Sequence, residues 1–361
     1  MIIPARLPLM IFAAALGAAW WRALPPAAPA FVVPAVHRAT APAMPLHDAP
    51  LATQSGLATL PSLAESADGR LLAVWRENTA DSDANIHLAD WNGQQWSPAR
   101  LIVDRRLIAR GSHSRVSTLG RPIIAPQGTT LHLWVGHQSL GPGAHLSHLS
   151  SSDGGLHWSA PQRLTTSPWF NRGAEASSPP LPLADGGLAL PLSHALFARQ
   201  GEWLRFDAKG RIVDKARLAQ PDASLAPQVA ALDQNKALAL LHAAGTTSAP
   251  LRSASSTDSG QRWQAGSALA ATGPSAAHAL IRLANGWLLL ASSAPSATLG
   301  LWLSANQGEN WHLARTLPLA APADLALLQT RDGTIHLALG NQPGGLRHLR
   351  FNSAWLQEGR P

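Results

Sequence analysis

Arginine and histidine are the residue types in this sequence that could bind or transform a ligand. Arg110, Arg115, Arg121 and Arg172 lie between positions 110 and 172 of the chain. A guanidinium group can grip a carboxylate through two parallel hydrogen bonds, so these residues could form an anion site. In a chain whose positive charge comes mainly from arginine, they could equally be ordinary surface residues.

Other kinds of reactive site have little support in the sequence. His132, His137, His145 and His148 cluster, but no pair has a helical ligand spacing and no Asp, Glu or Cys joins them. No metal site and no cofactor are therefore predicted. A Gly-x-Ser-x-Gly motif is absent, which argues against serine hydrolase chemistry. The chain has no cysteine and no tyrosine.

An octet of the form Ser-x-Asp-x-Gly-x-x-Trp recurs along the chain, with Asn in place of Asp in its third copy. The predicted structural residues of the three copies are Ser151, Asp153, Gly155 and Trp158; Ser256, Asp258, Gly260 and Trp263; and Ser304, Asn306, Gly308 and Trp311. In such a turn the Asp accepts backbone N–H groups, the glycine takes a positive φ, and the Trp fills a gap against neighbouring structure. The octets therefore predict turns that join one repeat unit to the next.

The spacing of these turns indicates the repeat. A degenerate fourth copy at Trp91–Trp96 keeps only the Gly and the Trp. The tryptophans of the four copies, beginning with Trp96, lie 62, 105 and 48 residues apart. A unit of about 50 residues is typical of propeller blades. The chain from Leu57 onward has room for about six. The alternative is a set of surface turns in an unrelated β-sandwich.

Hairpin signals support the all-β interpretation. Asp68-Gly69, Asp185-Gly186, Asn285-Gly286 and Asp332-Gly333 each precede a short apolar run. Such dipeptides favour type I′ or related turns between antiparallel strands. The predicted fold is an all-β, six-bladed β-propeller.

Together with the octets, several segments resemble the sialidase superfamily. The similar segments are Leu181–Leu192, Gly201–Asp207, Ile281–Leu290, Leu327–Leu337 and Arg347–Leu356. The resemblance covers roughly residues 57–356 and implies a six-bladed sialidase-like propeller. It does not by itself imply activity.

The residues that the resemblance assigns to catalysis are largely replaced. Hydrolases of the superfamily generally use a Tyr nucleophile activated by Glu, an Asp general acid and three arginines that bind the sialic acid carboxylate. Here Asp324 stands where the Tyr is expected, and Ala195 follows His194 where a His-Glu pair is usual. Ser177 replaces an expected Arg, and Gly344-Gly345 replaces basic residues. The conventional Tyr-dependent mechanism is therefore not predicted.

Two functional hypotheses follow from what remains. The first is a propeller that binds a glycan, another anionic ligand or a partner protein, with Arg121, His194 and Arg115 as candidate ligand-binding residues. The second is a glycoside hydrolase with Asp324 as nucleophile and Asp83 as acid, since Asp83 lies where the resemblance places the acid/base. Retaining chemistry would need carboxyl groups about 5 Å apart, and inverting chemistry about 6.5–9.5 Å. A structural role in an envelope complex also stays open.

The N-terminal region predicts export. Residues 1–24 contain the apolar stretch 7–21 and are interpreted as a signal peptide or an uncleaved membrane anchor. Residues 25–56 are predicted as an Ala/Pro-rich linker and 57–361 as the propeller. The expected location is the periplasm, with the protein either released or associated with the inner membrane through residues 7–21.

Charge excludes one class of partner. The formal net charge is +7, yet only 14% of residues are charged and no Lys/Arg run occurs. Nucleic-acid binding is not predicted, whereas mild attraction for anionic glycans or membrane surfaces is compatible with the charge.

Overall fold

A computed structural model describes eleven stretches of the chain. They are residues 27–37, 42–52, 57–78, 84–139, 144–164, 174–195, 199–218, 225–242, 249–269, 272–320 and 323–358. In these stretches no helix is long and apolar enough to cross a membrane. The apolar stretch 7–21 lies outside them.

The described chain forms six antiparallel sheets, which are the blades of a β-propeller. Blades 1 to 3 contain β3 (Ala58–Glu65), β4 (Leu71–Asn78), β5 (Ala84–Trp91) and β6 (Arg100–Val103); β7 (Val116–Gln127), β8 (Thr130–Ser139), β9 (Ala144–Ser151) and β10 (Gln162–Leu164); and β11 (Glu175–Ala176), β12 (Leu181–Pro182), β13 (Leu188–Ala195), β14 (Arg199–Phe206) and β15 (Ile212–Arg217). Blades 4 to 6 contain β16 (Leu225–Ala231), β17 (Ala237–His242), β18 (Arg252–Ser256) and β19 (Gln264–Ala268); β20 (Ala277–Arg282), β21 (Leu288–Ser293), β22 (Thr298–Ser304) and β23 (His312–Pro318); and β24 (Leu325–Gln329), β25 (Ile335–Gln342) and β26 (Gly345–Phe351). The six-bladed fold expected from the octet spacing is confirmed.

Each blade runs from the inside of the ring to its rim in sequence order. The first strand of each blade is innermost, and neighbouring innermost strands contact one another around the ring. In blade 3 the inner position is shared by β11 and β12, which pair with the two ends of β13. Inner-strand residues of all six blades therefore face one central channel.

The N-terminal region closes the ring. Two short strands, β1 (His47–Asp48) and β2 (Leu51–Ala52), pair antiparallel with β26 and form the outer edge of blade 6. Asp48 accepts a hydrogen bond from Nε of Arg347 at 2.6 Å, and the Ala49 carbonyl accepts one from Trp96 of blade 1 at 3.3 Å. Residues before position 57 thus contribute directly to the propeller.

The apolar core lies between the blades. Strand side chains alternate between the two sheet faces, so each inner strand contributes to two interfaces. Val74 and Leu88 of blade 1 pack with Leu133 of blade 2, whereas Trp75 packs toward Leu346 of blade 6. Six interlocking clusters of this kind position the channel wall.

A second N-terminal stretch crosses one end of the channel. The N–H groups of Phe31, Val32 and His37 donate to the carbonyls of Gln234 (2.7 Å), Pro182 (2.9 Å) and Ala284 (2.8 Å). Those carbonyls lie at or just beyond the ends of inner strands β16, β12 and β20. Phe31 is buried, with its ring edge-on to Trp203. Composition alone did not indicate these contacts within the stretch interpreted as a linker.

The glycine-based hairpin turns occur where the sequence predicts them. Gly69, Gly186, Gly286 and Gly333 connect inner to second strands, with φ values of 86°, 81°, 86° and 87°. Each glycine N–H donates to the carbonyl three residues earlier, and the Asp or Asn before it is not among the positive-φ residues of the described chain. The turns are therefore of the type I plus left-handed glycine class rather than type I′, which needs two positive φ values.

Two short helices complete the described structure. One spans Arg105–Ser112 between blades 1 and 2, and begins at Asp104, whose Oδ1 accepts the Leu107 N–H at 2.6 Å. The other, Ser353–Glu358, follows the last strand. Neither forms a separate domain.

Candidate ligand-binding site

The octets form structural turns, with the hydrogen bonds that their sequence predicts. Ser151 Oγ donates to Asp153 Oδ1 at 2.8 Å and accepts the Gly155 N–H at 2.9 Å. Asp153 Oδ1 also accepts the N–H groups of Leu156 and His157, both at 3.0 Å. These N–H and side-chain hydrogen bonds favour the carboxylate, so the pKa of Asp153 lies below its ordinary value.

Asn serves in the third octet as Asp does in the others. Asn306 Oδ1 accepts from Ser304 Oγ at 3.0 Å and from the Asn310 N–H at 2.9 Å. In the second octet, Asp258 Oδ1 makes the equivalent contacts with Ser256 Oγ and the Arg262 N–H. An uncharged side-chain oxygen is therefore sufficient for this turn.

Each octet glycine packs against the preceding blade. A Cβ built at Gly155 would lie 3.2 Å from Leu88, one at Gly260 would lie 2.5 Å from Trp203 Nε1, and one at Gly308 would lie 2.5 Å from Leu238. All three turns connect the third and fourth strands of their blades. The octets thus join neighbouring blades near the rim, away from the channel.

The octet tryptophans differ in burial. Trp263 is 7% exposed and donates from Nε1 to the Gly260 carbonyl at 3.0 Å. Trp311 makes the same bond to Gly308 but is half-buried. Trp158 is also half-buried, and its Nε1 has no hydrogen-bond partner in the described chain.

The central channel contains a cavity of about 630 Å³. Residues from the innermost strands of all six blades line it, and Val32 and Pro34 line it at the end crossed by the N-terminal stretch. Among the candidate residues from the sequence, Arg121 and the replaced position Ser177 belong to this lining. The cavity is therefore the place where those two positions come together.

Arg121 supplies a positive charge in the cavity lining. Its side chain is 14% exposed, and its Nε lies 3.8 Å from Glu175 Oε1, which is longer than a hydrogen bond. The backbone beside it is tightly packed, since a Cβ at Gly120 would lie 3.3 Å from the Gly136 carbonyl oxygen. The packing of β7 therefore fixes the position of the Arg121 backbone, from which the side chain extends.

Two buried histidines from blades 4 and 5 face the same charge. His278 Nε2 lies 2.9 Å from the Leu240 carbonyl, which can only accept, so Nε2 carries the proton. His278 Nδ1 then accepts from His242 Nε2 at 3.1 Å. This leaves His242 Nδ1 as a buried acceptor without a partner in the described chain.

Burial and the charge of Arg121 keep both rings neutral. Burial, and then Arg121, lower the pKa of His242 to about 4. The pKa of His278 is lowered well below its ordinary value, first by burial and then by His242 and Arg121. One cation, one neutral acceptor ring and a neighbouring ring thus lie within electrostatic reach of each other.

Hydroxyl and amide groups extend this polar site. Ser177 and Ser178 line the cavity, are 4% and 3% exposed, and have Oγ atoms without partners in the described chain. Gln228 Nε2 donates to the Ser177 carbonyl at 2.6 Å. A ligand that carries a carboxylate and hydroxyl groups could pair with Arg121 and with the serine hydroxyls, whereas His242 and His278 lie outside the described lining of the cavity.

The other sequence candidates lie elsewhere. His194 is buried on β13, with Nδ1 3.8 Å from Glu202 Oε1, and Glu202 itself accepts from Lys215 at 3.2 Å. Burial lowers the pKa of His194, while Glu202 acts in the opposite direction. Arg115 is exposed just after the helix Arg105–Ser112. Neither His194 nor Arg115 is in the described lining of the cavity.

Asp324 supports the backbone of a neighbouring blade. Its Oδ2 accepts the N–H of Leu60 at 3.1 Å, and Leu60 has a positive φ of 53°. The side chain therefore stabilises an uncommon backbone conformation between blades 6 and 1. Asp83, its proposed partner in the hydrolase hypothesis, and Arg172 both lie outside the described residues.

Histidine pairs explain most of the histidine cluster. His132 Nδ1 and His148 Nε2 lie 2.8 Å apart and bond directly, and His137 and His145 are adjacent on paired strands. In the described part of the chain, no group of three or more His, Cys, Asp or Glu side chains is arranged to hold a metal ion.

The sequence reasoning missed several residues of the site, namely Glu175, Gln228, His242 and His278. They come from three different blades and share no motif. Their positions in the strands were the one signal in the sequence that could have indicated them. His242 is the last residue of the second strand of blade 4, and His278 lies near the start of the inner strand of blade 5.

Comparisons with known proteins agree with the fold. Residues 69–337 match the model of the family described as "BNR repeat-like domain". The chain is similar to the Hadza microbial sialidase Hz136, with a TM-score of 0.66 and 14% identity over 82% of this chain and 66% of that one. It is also similar to the intramolecular trans-sialidase from Ruminococcus gnavus, with a TM-score of 0.65 and 14% identity over 84% and 96% of the two chains.

A third similar structure is a protein of unknown function from Dyadobacter fermentans. Its TM-score is 0.67, with 14% identity over 85% of this chain and 99% of that one. No curated protein matches the sequence. At such identities the structural likeness shows the fold alone.

Proposed function

Because the chain belongs to the BNR repeat-like family, we propose that it is a sialidase-like propeller that binds an anionic glycan at its central channel. The observation that carries the proposal is the position of Arg121, which lines the cavity with its Nε 3.8 Å from Glu175 Oε1. At that distance Glu175 makes no hydrogen bond to the guanidinium group. A ligand carboxylate that accepted two hydrogen bonds from Arg121 would therefore interact with it more strongly than Glu175 does.

The neutral groups around Arg121 favour a sugar acid over a simple anion. The hydroxyls of Ser177 and Ser178 line the cavity and can donate to a ligand oxygen or accept from one. These atoms are buried, so leaving them unpaired costs free energy that a hydroxylated ligand would recover. An acidic monosaccharide, free or at the end of a glycan, offers both functions.

Binding without cleavage is the mode that the residues support. The chain has no tyrosine to act as a neutral nucleophile. A carboxylate nucleophile would repel the carboxylate of an acidic sugar, and that repulsion is strong where water is excluded. Asp324 is moreover engaged by the Leu60 N–H. We therefore expect no turnover of sialosides.

Export belongs to the same proposal. The apolar stretch 7–21, followed by an Ala/Pro-rich segment, has the composition of a signal peptide or N-terminal anchor. An exported propeller would meet glycans in the periplasm or beyond. The same face could alternatively receive a protein that presents an acidic group.

Titration of the purified protein with N-acetylneuraminic acid, glucuronic acid and neutral N-acetylglucosamine tests the binding proposal. We expect the two acids to bind, the neutral sugar to bind at least tenfold more weakly, and Arg121→Gln to abolish the preference. Arg106→Gln is the matched control, because Arg106 is exposed on the helix Arg105–Ser112 and the substitution removes the same charge. Equal affinity for acidic and neutral sugars would contradict the proposal.

Incubation with a fluorogenic sialoside tests the absence of catalysis. We expect product formation no faster than in a buffer blank. Release of sialic acid that disappears in Asp324→Ala, with the fold retained, would instead favour the hydrolase hypothesis. In the binding titrations, Arg115→Gln separates that exposed arginine from Arg121 and is expected to keep the preference for acidic sugars.

A further inference from the structure

We propose that the channel behind Arg121 receives an apolar chain, so that the ligand is an anion with an alkyl or acyl tail. This inference rests on the proposed anion site and adds the chemical class of the remainder of the ligand. The observation behind it is the shape and lining of the cavity, which extends well beyond the polar groups around Arg121.

The cavity has the size of a site for one small molecule. Ligand pockets usually occupy about 300–1,000 Å³, and this one measures about 630 Å³. A single carboxylate with its bound hydroxyl groups would fill only the end near Arg121. The remaining volume is lined by the inner strands and is large enough for an alkyl chain.

Most of the lining beyond the polar end is aliphatic. The aliphatic lining residues come from five blades and include Leu63, Ile123, Val229, Ile281, Ala326 and Leu328. Ile281, Ala326 and Leu328 are half-buried, so part of their surface is accessible. An alkyl chain would remove this surface from water, whereas a polar glycan inserted along the channel would lose hydrogen bonds.

The far end of the channel is covered by the N-terminal stretch, and Arg282 and Arg331 lie there. Val32 and Pro34 line that end, where the Pro34 carbonyl accepts from Arg282 at 3.4 Å. Arg331 bonds to Glu65 Oε1 at 3.0 Å and to the Ser66 carbonyl at 2.7 Å. Arg121 lies within β7, whereas Arg282 ends β20 and Arg331 follows β24. An anionic head at Arg121 would therefore direct the tail toward the N-terminal stretch.

A chain-length series tests the inference directly. Butanoate, hexanoate, octanoate and decanoate are titrated below their micellar concentrations, with octanol and octylammonium as head-group controls. Each added methylene that enters an apolar channel is expected to raise affinity roughly threefold to fourfold. Octanol and octylammonium are expected to bind at least tenfold more weakly than octanoate.

Three variants locate the tail and the head. Ala326→Phe adds bulk to the channel wall and is expected to flatten the chain-length dependence without changing the affinity for butanoate or glucuronic acid. Ile281→Phe serves the same purpose from blade 5 if Ala326→Phe lowers the melting temperature strongly. Arg121→Gln is expected to weaken all four carboxylates by a similar factor.

The outcomes separate this inference from the proposed function. A flat chain-length series in the wild-type protein, with acidic sugars still bound through Arg121, would overturn the tail channel and leave the anion site intact. A steep series that both phenylalanine variants leave unchanged would place the tail on the outer surface and also overturn it. If the wild-type protein bound neither the acidic sugars nor the fatty acids, both proposals would be overturned.

Discussion

His242 and His278 form a directed hydrogen-bonded pair across the interface between blades 4 and 5, with 3.1 Å between His242 Nε2 and His278 Nδ1. The direction is set by the Leu240 carbonyl, which fixes the proton on His278 Nε2. Neither ring can gain a proton without breaking this arrangement or placing a buried charge near Arg121. The pair therefore couples the stability of the propeller to pH.

Acid is expected to destabilise the protein through His242. Its pKa is about 4 in the folded protein and near 6.5 when the chain is unfolded. Below pH 6.5 the unfolded state therefore binds more protons, and the free energy of unfolding falls as pH drops toward 4. Urea unfolding at several pH values measures this slope, which we expect to become shallower in His242→Asn.

An exposed histidine provides the control for that slope. His47 lies on the surface of β1, so His47→Gln is expected to keep the wild-type pH dependence. Burial lowers the pKa values of His137, half-buried His148 and His336 to about 4 as well, so part of the slope will persist in His242→Asn. An unchanged slope in that variant would contradict the assigned pair.

Asp258→Ala is expected to lower stability without affecting ligand binding. The substitution leaves the Ser256 hydroxyl and the Arg262 N–H without their acceptor. Loss of such a partner typically costs about 1–3 kcal/mol. Chemical denaturation measures the loss, and titration with an acidic sugar checks that binding is retained.

The third octet supplies a matched control for this prediction. Asn306 makes the equivalent contacts with a neutral oxygen, so Asp258→Asn should retain most of the stability that Asp258→Ala loses. If the two variants were equally destabilised, charge rather than the acceptor position would be the important property of Asp258.

Gly260→Ala is expected to be far more destabilising than Gly93→Ala. Both glycines have a positive φ, 85° and 98°, so each substitution incurs left-handed backbone strain of about 1–2 kcal/mol. At Gly93 a Cβ meets nothing within 4 Å, whereas at Gly260 it would lie 2.5 Å from Trp203 Nε1. The contact with blade 3 should add about 1–3 kcal/mol more.

Thermal and urea unfolding of both variants measure this difference. Similar losses at Gly260 and Gly93 would show that blade-to-blade contact contributes little at the octet glycine. That result would contradict the role of the octets as junctions between neighbouring blades.

The parts of the structure that were predictable from the sequence depend on local contacts. The bonds around Ser151, Asp153 and Gly155 join residues within four positions of each other, so a short motif specifies them. The same holds for the glycine turns, whose positive φ requirement is visible in the residue type. Repetition of these local units then indicates the number of blades.

The parts that were not predictable depend on ring closure. Arg121, His242 and His278 belong to blades 2, 4 and 5, and only the closed propeller brings the charge of Arg121 near the two rings. Asp324 contacts the N–H of Leu60 across 264 positions of sequence. No periodic pattern marks such contacts, because each blade contributes one residue to them.

The contribution of residues before position 57 to the propeller was also not predictable from the sequence. Leu51 is 3% exposed and packs with Trp75, Trp91 and Leu346, although its flanking sequence is rich in Ala and Pro. Leu51→Ala removes buried side-chain volume from the junction of blades 1 and 6. Such a substitution typically costs about 2–5 kcal/mol.

The effect of Leu51→Ala should appear at the junction of blades 1 and 6, where β2 pairs with β26. Hydrogen exchange is expected to accelerate first in β26, which pairs with β2 at Leu346, while the strands of blades 3 and 4 change less. Val36→Ala is the control, because Val36 is 57% exposed and its truncation removes little buried surface. Equal stability of the Leu51→Ala and Val36→Ala variants would show that the N-terminal strands do not stabilise the closed propeller.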